Sequence, residues 1–493
     1  MKIPQCRFEL LSFSGLVPAA IALFLNGMIY SCDTAENREH AENSDAWLKP
    51  YAENPHYWEY QRKPVLLLGA TDDDNLFQMN GLEEHLDLLR QVGGNYIRNT
   101  MSSRDSGNVW PFYQQVDGLY DLDRWGDEYW TRFESLLKLC HERDIIVQIE
   151  VWDRFDFSRS MGIDGAWDVN PFNPVNTITY TLEETGLVEE YPSHPASDLQ
   201  PFFHTVPGMA NYDPKLDLVR KYQEKFVDKM LSYTLDFGNV LYCMNNETST
   251  PVEWGNYWID FIRAKAHEKG KEIAITDMYD SFYKVNECEK CLDMIAKPEY
   301  YTFLDISQIN SRNFGQAHWD TLQVIMQKRN QYAPRPVNHT KIYGGGNYGF
   351  GSGSNEDGVE RFGRNLLGGS ASVRHHRPPH GNGLNDKAIG IIEATRKVEE
   401  RVRFWDVEPA MELLSDREEN EAYLAAKQGE GYILYFPKGG SVKLDLSAYS
   451  ERFSAAWVSV ATGEWGEEYA VEGGDFRDVT TPDDSGWYLV ISE

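Results

Sequence analysis

Asn246-Glu247 is the dipeptide of this 493-residue chain with the clearest chemical potential. A glutamic acid can protonate a leaving oxygen while a neighbouring amide holds the hydroxyl next to the reacting carbon. Hydrolysis of a glycosidic bond needs that acid and a second carboxylate, as nucleophile or as base for water. Glu247 is therefore the expected general acid/base, with Glu356, Asp305 and Glu150 as candidate companions and Asp153 and Asp357 behind them. Asn246, Asp73, Asp74, Trp152, Asp153, Asp277, Tyr343 and Tyr348 offer the carboxylates, amide and flat rings that suit a polyhydroxylated ligand. Arg98, Arg104, Arg374, His375, His376, Arg377 and His380 add a cationic set. Arginine grips carboxylate or sulfate through paired hydrogen bonds, so the set points to a uronic acid or a sulfated sugar. Its alternative is a structural network with neighbouring acids.

An Asn-Glu pair is common by chance; its weight comes from where the chain places it. From about Lys63 onward, short apolar runs alternate with stretches of helical period. The runs are Pro64–Ala70, Tyr96–Met101, Ile145–Trp152, Val240–Asn245, Glu272–Met278, Tyr301–Ile306, Pro336–Tyr343 and Ser370–Val373. Strands alternating with helices imply parallel pairing through right-handed crossovers, and eight units predict a closed (β/α)8 barrel, a TIM barrel in the α/β class, over residues 50–405. A doubly wound sheet would want a Gly-rich phosphate turn after its first strand, where this chain has Thr71-Asp72-Asp73-Asp74-Asn75. Reactive residues of such barrels sit at the carboxyl ends of the strands, where most of the candidates above fall; Arg104 and His380 lie further into their loops, and Tyr348, Glu356 and Asp357 lie in and just after the loop following strand seven. Glu356 also precedes a helix, where an acid is favourable to the dipole. Asp72 to Asp74 include good helix caps. The long insertion from about Phe155 to Asn211 is expected to form an ordered lid or platform. After a charged linker at 408–420, short runs separated by Gly-rich turns predict a small antiparallel β-sandwich over 420–493, with an accessory or packing role.

The formal charge of −30 argues against nucleic acid as a partner. Lys2 and Arg7 followed by an apolar run to Ile29 describe an export signal over residues 1–32, and Ser31-Cys32 resembles a lipoprotein signal that would lipidate Cys32. The expected location is secreted or lipid-anchored at a bacterial cell envelope, with membrane contact only through that anchor. Cys140, Cys243, Cys288 and Cys291 read as structural thiols, because no second pair completes a zinc site. Neither a metal nor another cofactor is implied.

At the end of strand four, Asn246-Glu247 resembles the acid/base motif of the large barrel clan of retaining glycosidases. From Tyr57 to the C-terminus the chain is similar to apiosidase-like bacterial glycosidases, which pair such a barrel with a small β module of the type labelled collagen-binding. The resemblance implies a glycoside hydrolase acting on an oligo- or polysaccharide. It also implies a nucleophilic Glu at the end of strand seven, where this chain reads Pro336-Val337-Asn338-His339-Thr340-Lys341-Ile342-Tyr343-Gly344. Two other readings stay open: a polysaccharide lyase with His375 or Tyr343 as base, and a surface glycan-binding protein built on an inactive barrel.

Overall fold

The structure, a computed structural model, describes residues 47–158, 166–191, 200–346 and 351–493. Eight parallel strands form the barrel: β1 Leu67–Ala70, β2 Tyr96–Thr100, β3 Ile146–Asp153, β4 Val240–Asn246, β5 Ala274–Thr276, β6 Leu304–Asp305, β7 Val337–Ile342 and β8 Ser372–His375. They pair as two arcs, β5-β4-β3-β2 and β6-β7-β8-β1. Backbone bonds from Asn95 N to Leu68 O at 2.8 Å and from Thr302 N to Ile275 O at 3.0 Å join the arcs into a ring. The outer helices are α1 Leu82–Gln91, α2 Asp127–Glu142, α3 Leu216–Thr234, α4 Val252–Glu268, α5 Glu289–Ala296, α6 Gly315–Arg329, α7 Asn355–Leu367 and α8 Asp386–Glu399.

The barrel interior is polar in its middle layer. Asp305 accepts from Gln148 Nε2 and Thr340 Oγ1, both at 2.7 Å, and Tyr96 Oη donates to Gln148 Oε1 at 2.6 Å. Below this layer a small antiparallel sheet of Lys49–Pro50, Trp58–Tyr60 and Lys63–Val65 closes the amino-terminal mouth, with Trp58 Nε1 donating to Asn338 Oδ1 at 3.0 Å.

The insertion after β3, expected to form an ordered lid or platform, buries most of its described rings instead of presenting them to the cleft. Its rings Phe157, Trp167, Phe172, Phe202 and Phe203 are buried, and they pack on Trp152 and Trp254 as a second aromatic core outside the barrel. Among its described residues, the start of the insertion, at Arg154 and Phe155, reaches the barrel mouth. Apolar area drives that outcome: rings this large lower the free energy more when shielded by one another than when left facing water.

Beyond α8 two antiparallel sheets enclose a separate apolar core that includes Leu424, Leu434, Phe436, Leu444, Trp457 and Leu489. The stretch read as a linker already belongs to these sheets. Glu408–Pro409 pairs with Ala425–Ala426, and Leu414–Ser415 pairs with Lys443–Leu444. The sheets rest on α7, where a Cβ added at Gly363 would stand 2.4 Å from the Tyr435 ring.

Cys288 and Cys291, read from the sequence as structural thiols, are joined in a disulfide. Their spacing places them on the first turn of α5 with Cα atoms 5.2 Å apart, inside the range a disulfide bridges. Cys140 and Cys243 are buried free thiols.

Candidate active site

The carboxyl ends of the strands surround a cleft of about 360 Å³. Its acidic floor begins in the turn after β1, where three successive aspartates do different work. Asp72 accepts from Leu384 N at 2.8 Å and ties the turn to the loop after β8. Asp73 caps its own turn, accepting from Asp74 N at 2.6 Å. Asp74 alone faces the cleft, in ion pairs with Arg98, with Arg104 at 2.8 Å and with Arg377 at 2.8 Å. Burial pushes its carboxyl up, but these cations outweigh burial and hold it well below the usual carboxylate range.

Two of the expected acids lie beneath that floor. Glu150 is fully buried and accepts from Arg98 Nε at 2.6 Å; Asp153 is buried in an ion pair with Arg104. Both neutralise cations from behind, and neither reaches the open space.

Glu247 follows β4 directly, with φ +52°, a left-handed conformation rare outside glycine. Its Oε1 accepts from Lys341 Nζ and from Tyr343 Oη, each at 2.7 Å, and its Oε2 lies 3.6 Å from an Arg154 nitrogen. Burial alone would raise its pKa; Lys341 foremost, then Arg154 and the Tyr343 hydroxyl, hold the carboxyl well below its ordinary value. Lys341 is 1 % exposed and also donates to Asn246 Oδ1. A lysine thus occupies the end of β7 that the clan resemblance reserves for a glutamate. Tyr343, buried beside the Glu247 charge, has its hydroxyl pushed well above the usual range.

The acidic partner nearest this cluster is Asp280, in the turn after β5. Its Oδ2 accepts from the other terminal nitrogen of Arg154 at 2.6 Å, so one guanidinium holds Glu247 and Asp280 on its two arms. Burial raises the Asp280 carboxyl, Arg154 opposes, and the Glu247 charge raises it further, leaving it above its ordinary value. At the rim the Arg312 guanidinium stands 4.7 Å from the centre of the Tyr283 ring, and Gln308 Nε2 donates to Tyr343 Oη at 3.1 Å. Among the described residues Arg98, Arg104, Arg154, Arg312, Lys341 and Arg377 line the cleft against the carboxylates of Asp74, Glu247 and Asp280.

Of the residues expected from sequence, Asn246, Glu247, Asp74, Arg98, Arg104, Tyr343, His376, Arg377 and His380 line the cleft. The others lie elsewhere. Glu356 is exposed on α7 and pairs with Lys387 at 2.9 Å, and Asp357 caps the same helix through Ser354. Asp305 is consumed by the interior network of the barrel. Asp277 is buried and accepts from Asn245 Nδ2 at 2.9 Å, and burial pushes its carboxyl up to about 7. Trp152 faces the aromatic core. Arg374 is buried, donating to Thr340 O and Thr71 Oγ1, and His375 stacks on Phe362 with burial pushing it down to about 3. A base at His375 would therefore be walled off from any substrate. Tyr348 and Cys32 lie outside the described residues.

Sequence reasoning passed over Asp280, Ser281, Tyr283 and Arg312. The signal for Asp280 was its place two residues after the fifth apolar run; beyond the last residue of β5, Thr276, the chain bridges once more to Thr248 through Tyr279 before it turns at Asp280.

No protein-family model matches the chain, and no curated protein matches it. Solved structures do match. A glycoside hydrolase family 5 structure from Bacteroides vulgatus is 14% identical, with 92% of this chain and 95% of that one covered and a TM-score of 0.59. A structure described as a glycoside hydrolase is 12% identical over 92% of this chain and 98% of its own, with a TM-score of 0.60. Another glycoside hydrolase structure from B. vulgatus is 14% identical over 91% of this chain and 83% of its own, with a TM-score of 0.54. At these identities the likeness establishes architecture and leaves activity to the site. The chain has the TIM-barrel fold of these glycoside hydrolase structures, with a C-terminal antiparallel β domain.

Proposed function

We propose that the protein is a glycoside hydrolase acting on an anionic oligo- or polysaccharide, one that contains uronic acid or sulfated sugar. The observation that carries the reading is the pair Glu247 and Asp280 on the two arms of Arg154, with carboxyl pKa values pushed in opposite directions. Groups separated in this way sort themselves into base and acid. Asp280 gives its proton to the glycosidic oxygen. Glu247, already ionised, takes a proton from the attacking water. The water oxygen bonds to the anomeric carbon as the bond to the leaving oxygen breaks, with inversion. This reverses the expectation that Glu247 donates the proton, because Lys341 stabilises its charged form. The arginines and lysine at the cleft outnumber the carboxylates that line it, and still exceed them by one when Glu150 and Asp153 behind it are counted, which in a chain of net charge −30 supports an anionic substrate. The likeness to apiosidase-like enzymes, resting on Asn246-Glu247 and the β domain, supports the same class of reaction. Export and lipidation at Cys32 belong to the proposal too, and the Cys288–Cys291 disulfide supports an oxidising compartment.

The test is incubation with uronate-containing and sulfated oligosaccharides, reading new reducing ends, ultraviolet absorbance and the anomer first formed. New reducing ends without absorbance, released with inversion by wild type and lost in Glu247→Gln, support the proposal. An absorbing unsaturated product would make it a lyase. A retained anomer would make Glu247 the nucleophile. Equal binding by both proteins without product would make it a glycan-binding protein.

A further inference from the structure

We propose that Lys290, carried on the disulfide-closed turn at the start of α5, is a positioning residue that holds the Glu247 loop in its working conformation. The inference rests on the reading of Glu247 as the reacting carboxylate. A glutamate at φ +52° persists only where its surroundings over-determine the backbone. The residues after Glu247 are pinned from two directions. On one side Thr248 N donates to Met278 O at 2.8 Å and Asp280 N to Thr248 O at 3.3 Å, joining this loop to the segment that carries the second carboxyl. On the other side Lys290 Nζ donates to both Ser249 O and Thr250 O, each at 2.6 Å.

Two carbonyls converging on one ammonium make a clamp only if the lysine backbone is itself fixed. Here it is fixed on both flanks. Cys288 and Cys291 are bonded to each other, and Cys288 Sγ accepts from Cys291 N at 3.1 Å, so Lys290 sits inside a closed turn. A free lysine side chain loses considerable rotamer freedom in making two bonds at once; a base held by a disulfide lessens the backbone part of that cost. The clamp lies outside the cleft lining and touches neither carboxyl, so its action passes through the backbone of residues 248–250. Without the ammonium, the carbonyls of Ser249 and Thr250 lose their shared donor. The loop then relaxes and Glu247 leaves Lys341 and Tyr343.

The test compares the full-length wild type, Lys290→Met, Lys290→Arg and Cys288→Ser/Cys291→Ser. Two readouts are used: kcat and KM on a cleaved oligosaccharide, and the titration of the Glu247 side-chain carboxyl followed by carbon NMR. Lys290→Met is expected to lower kcat by roughly 10²-fold, the scale of a displacement of about 1 Å in a reacting group, with KM little changed. The Glu247 titration should move to higher pH. Lys290→Arg should restore most of both, and the double serine variant should show a smaller change in the same direction. An unchanged Glu247 titration in Lys290→Met overturns the proposal, and so does a lower melting temperature with normal kcat per folded molecule. If Lys290→Met does not fold, the double serine variant carries the same comparison. Because the NMR titration needs no turnover, failure of the clamp is distinguishable from failure of the hydrolase reading.

Discussion

Lys341 Nζ stands 2.7 Å from Glu247 Oε1 at the bottom of the cleft, with only 1 % of the lysine side chain exposed. The ammonium and carboxylate occupy the ends of β7 and β4, on opposite arcs of the barrel. A barrel that needed two glutamates at these ends could not keep a lysine there. The pair makes sense if one carboxylate is to stay ionised while its acidic partner is supplied from β5.

Lys341→Met tests that logic. The Glu247 carboxyl loses its main stabilising charge, so the acid limb of the kcat/KM profile moves to higher pH. Removing one partner of a buried pair also destabilises the fold at neutral pH, by about 3–5 kcal/mol. The sign follows from the depressed native pKa of Glu247: its contribution is present above the unfolded value and lost as pH falls toward the native one. Combining Lys341→Met with Glu247→Gln should recover much of the stability and none of the activity. Denaturant melts and pH-rate profiles of the three variants decide it.

Asp280→Asn should separate proton donation from attack. Loss of the acid is expected to cost about 10²–10⁴-fold on substrates with poor leaving groups. Aryl glycosides, whose phenolate leaves unaided, should keep most of their rate. The basic limb of the pH profile, set by Asp280 losing its proton, should vanish. Equal losses on both substrate types would remove Asp280 from the role of acid.

The barrel was legible because each buried strand reads as a short apolar run between helical periods, and Val240–Asn246 carries Asn246-Glu247 to its end without ambiguity. Which residues face inward was far less legible. Asp72, Asp73 and Asp74 look alike in sequence, yet only Asp74 has cations converging on it from β2 and from the loop after β8. Glu150, Asp153 and Asp305 stand at strand ends as expected, but buried cations or amides claim them. The pairing of Lys341 with Glu247 joins residues 94 positions apart, and no local pattern announces it. Glu356 failed for the opposite reason: its place in the first turn of α7, favourable to the helix dipole, and its exposed pair with Lys387 account for it.

Arg312→Ala should weaken capture of an anionic substrate without touching the chemistry. Arg312 lies at the rim, stacked on Tyr283. KM for a uronate or sulfated oligosaccharide is expected to rise several-fold with kcat nearly constant, while a neutral oligosaccharide of equal length shows little change. Added salt should raise the wild-type KM in the same selective way, because rim charges are screened within about 10 Å at 0.1 M ionic strength. A KM indifferent to substrate charge would point to a neutral sugar.

Asp156 offers a test of the scaffold independent of any substrate. It is buried behind the cleft and accepts from Ser102 Oγ at 2.7 Å, and burial pushes its carboxyl up to about 7 despite the opposing charge of Arg104. Its native pKa lies above the unfolded value of about 3.9, so the folded state binds more protons between those pH values. Stability contributed by Asp156 is therefore complete below about pH 4, declines by up to about 1.4 kcal/mol per pH unit, and is lost by about pH 7. Asp156→Asn mimics the protonated acid and keeps the acceptor for Ser102, so it removes this slope. The melting temperature of the variant relative to wild type should rise steadily from pH 4 to pH 7 and level off above it. A difference that stays flat across that window would mean that Asp156 is ionised in the native protein, with Arg104 as its effective counterion.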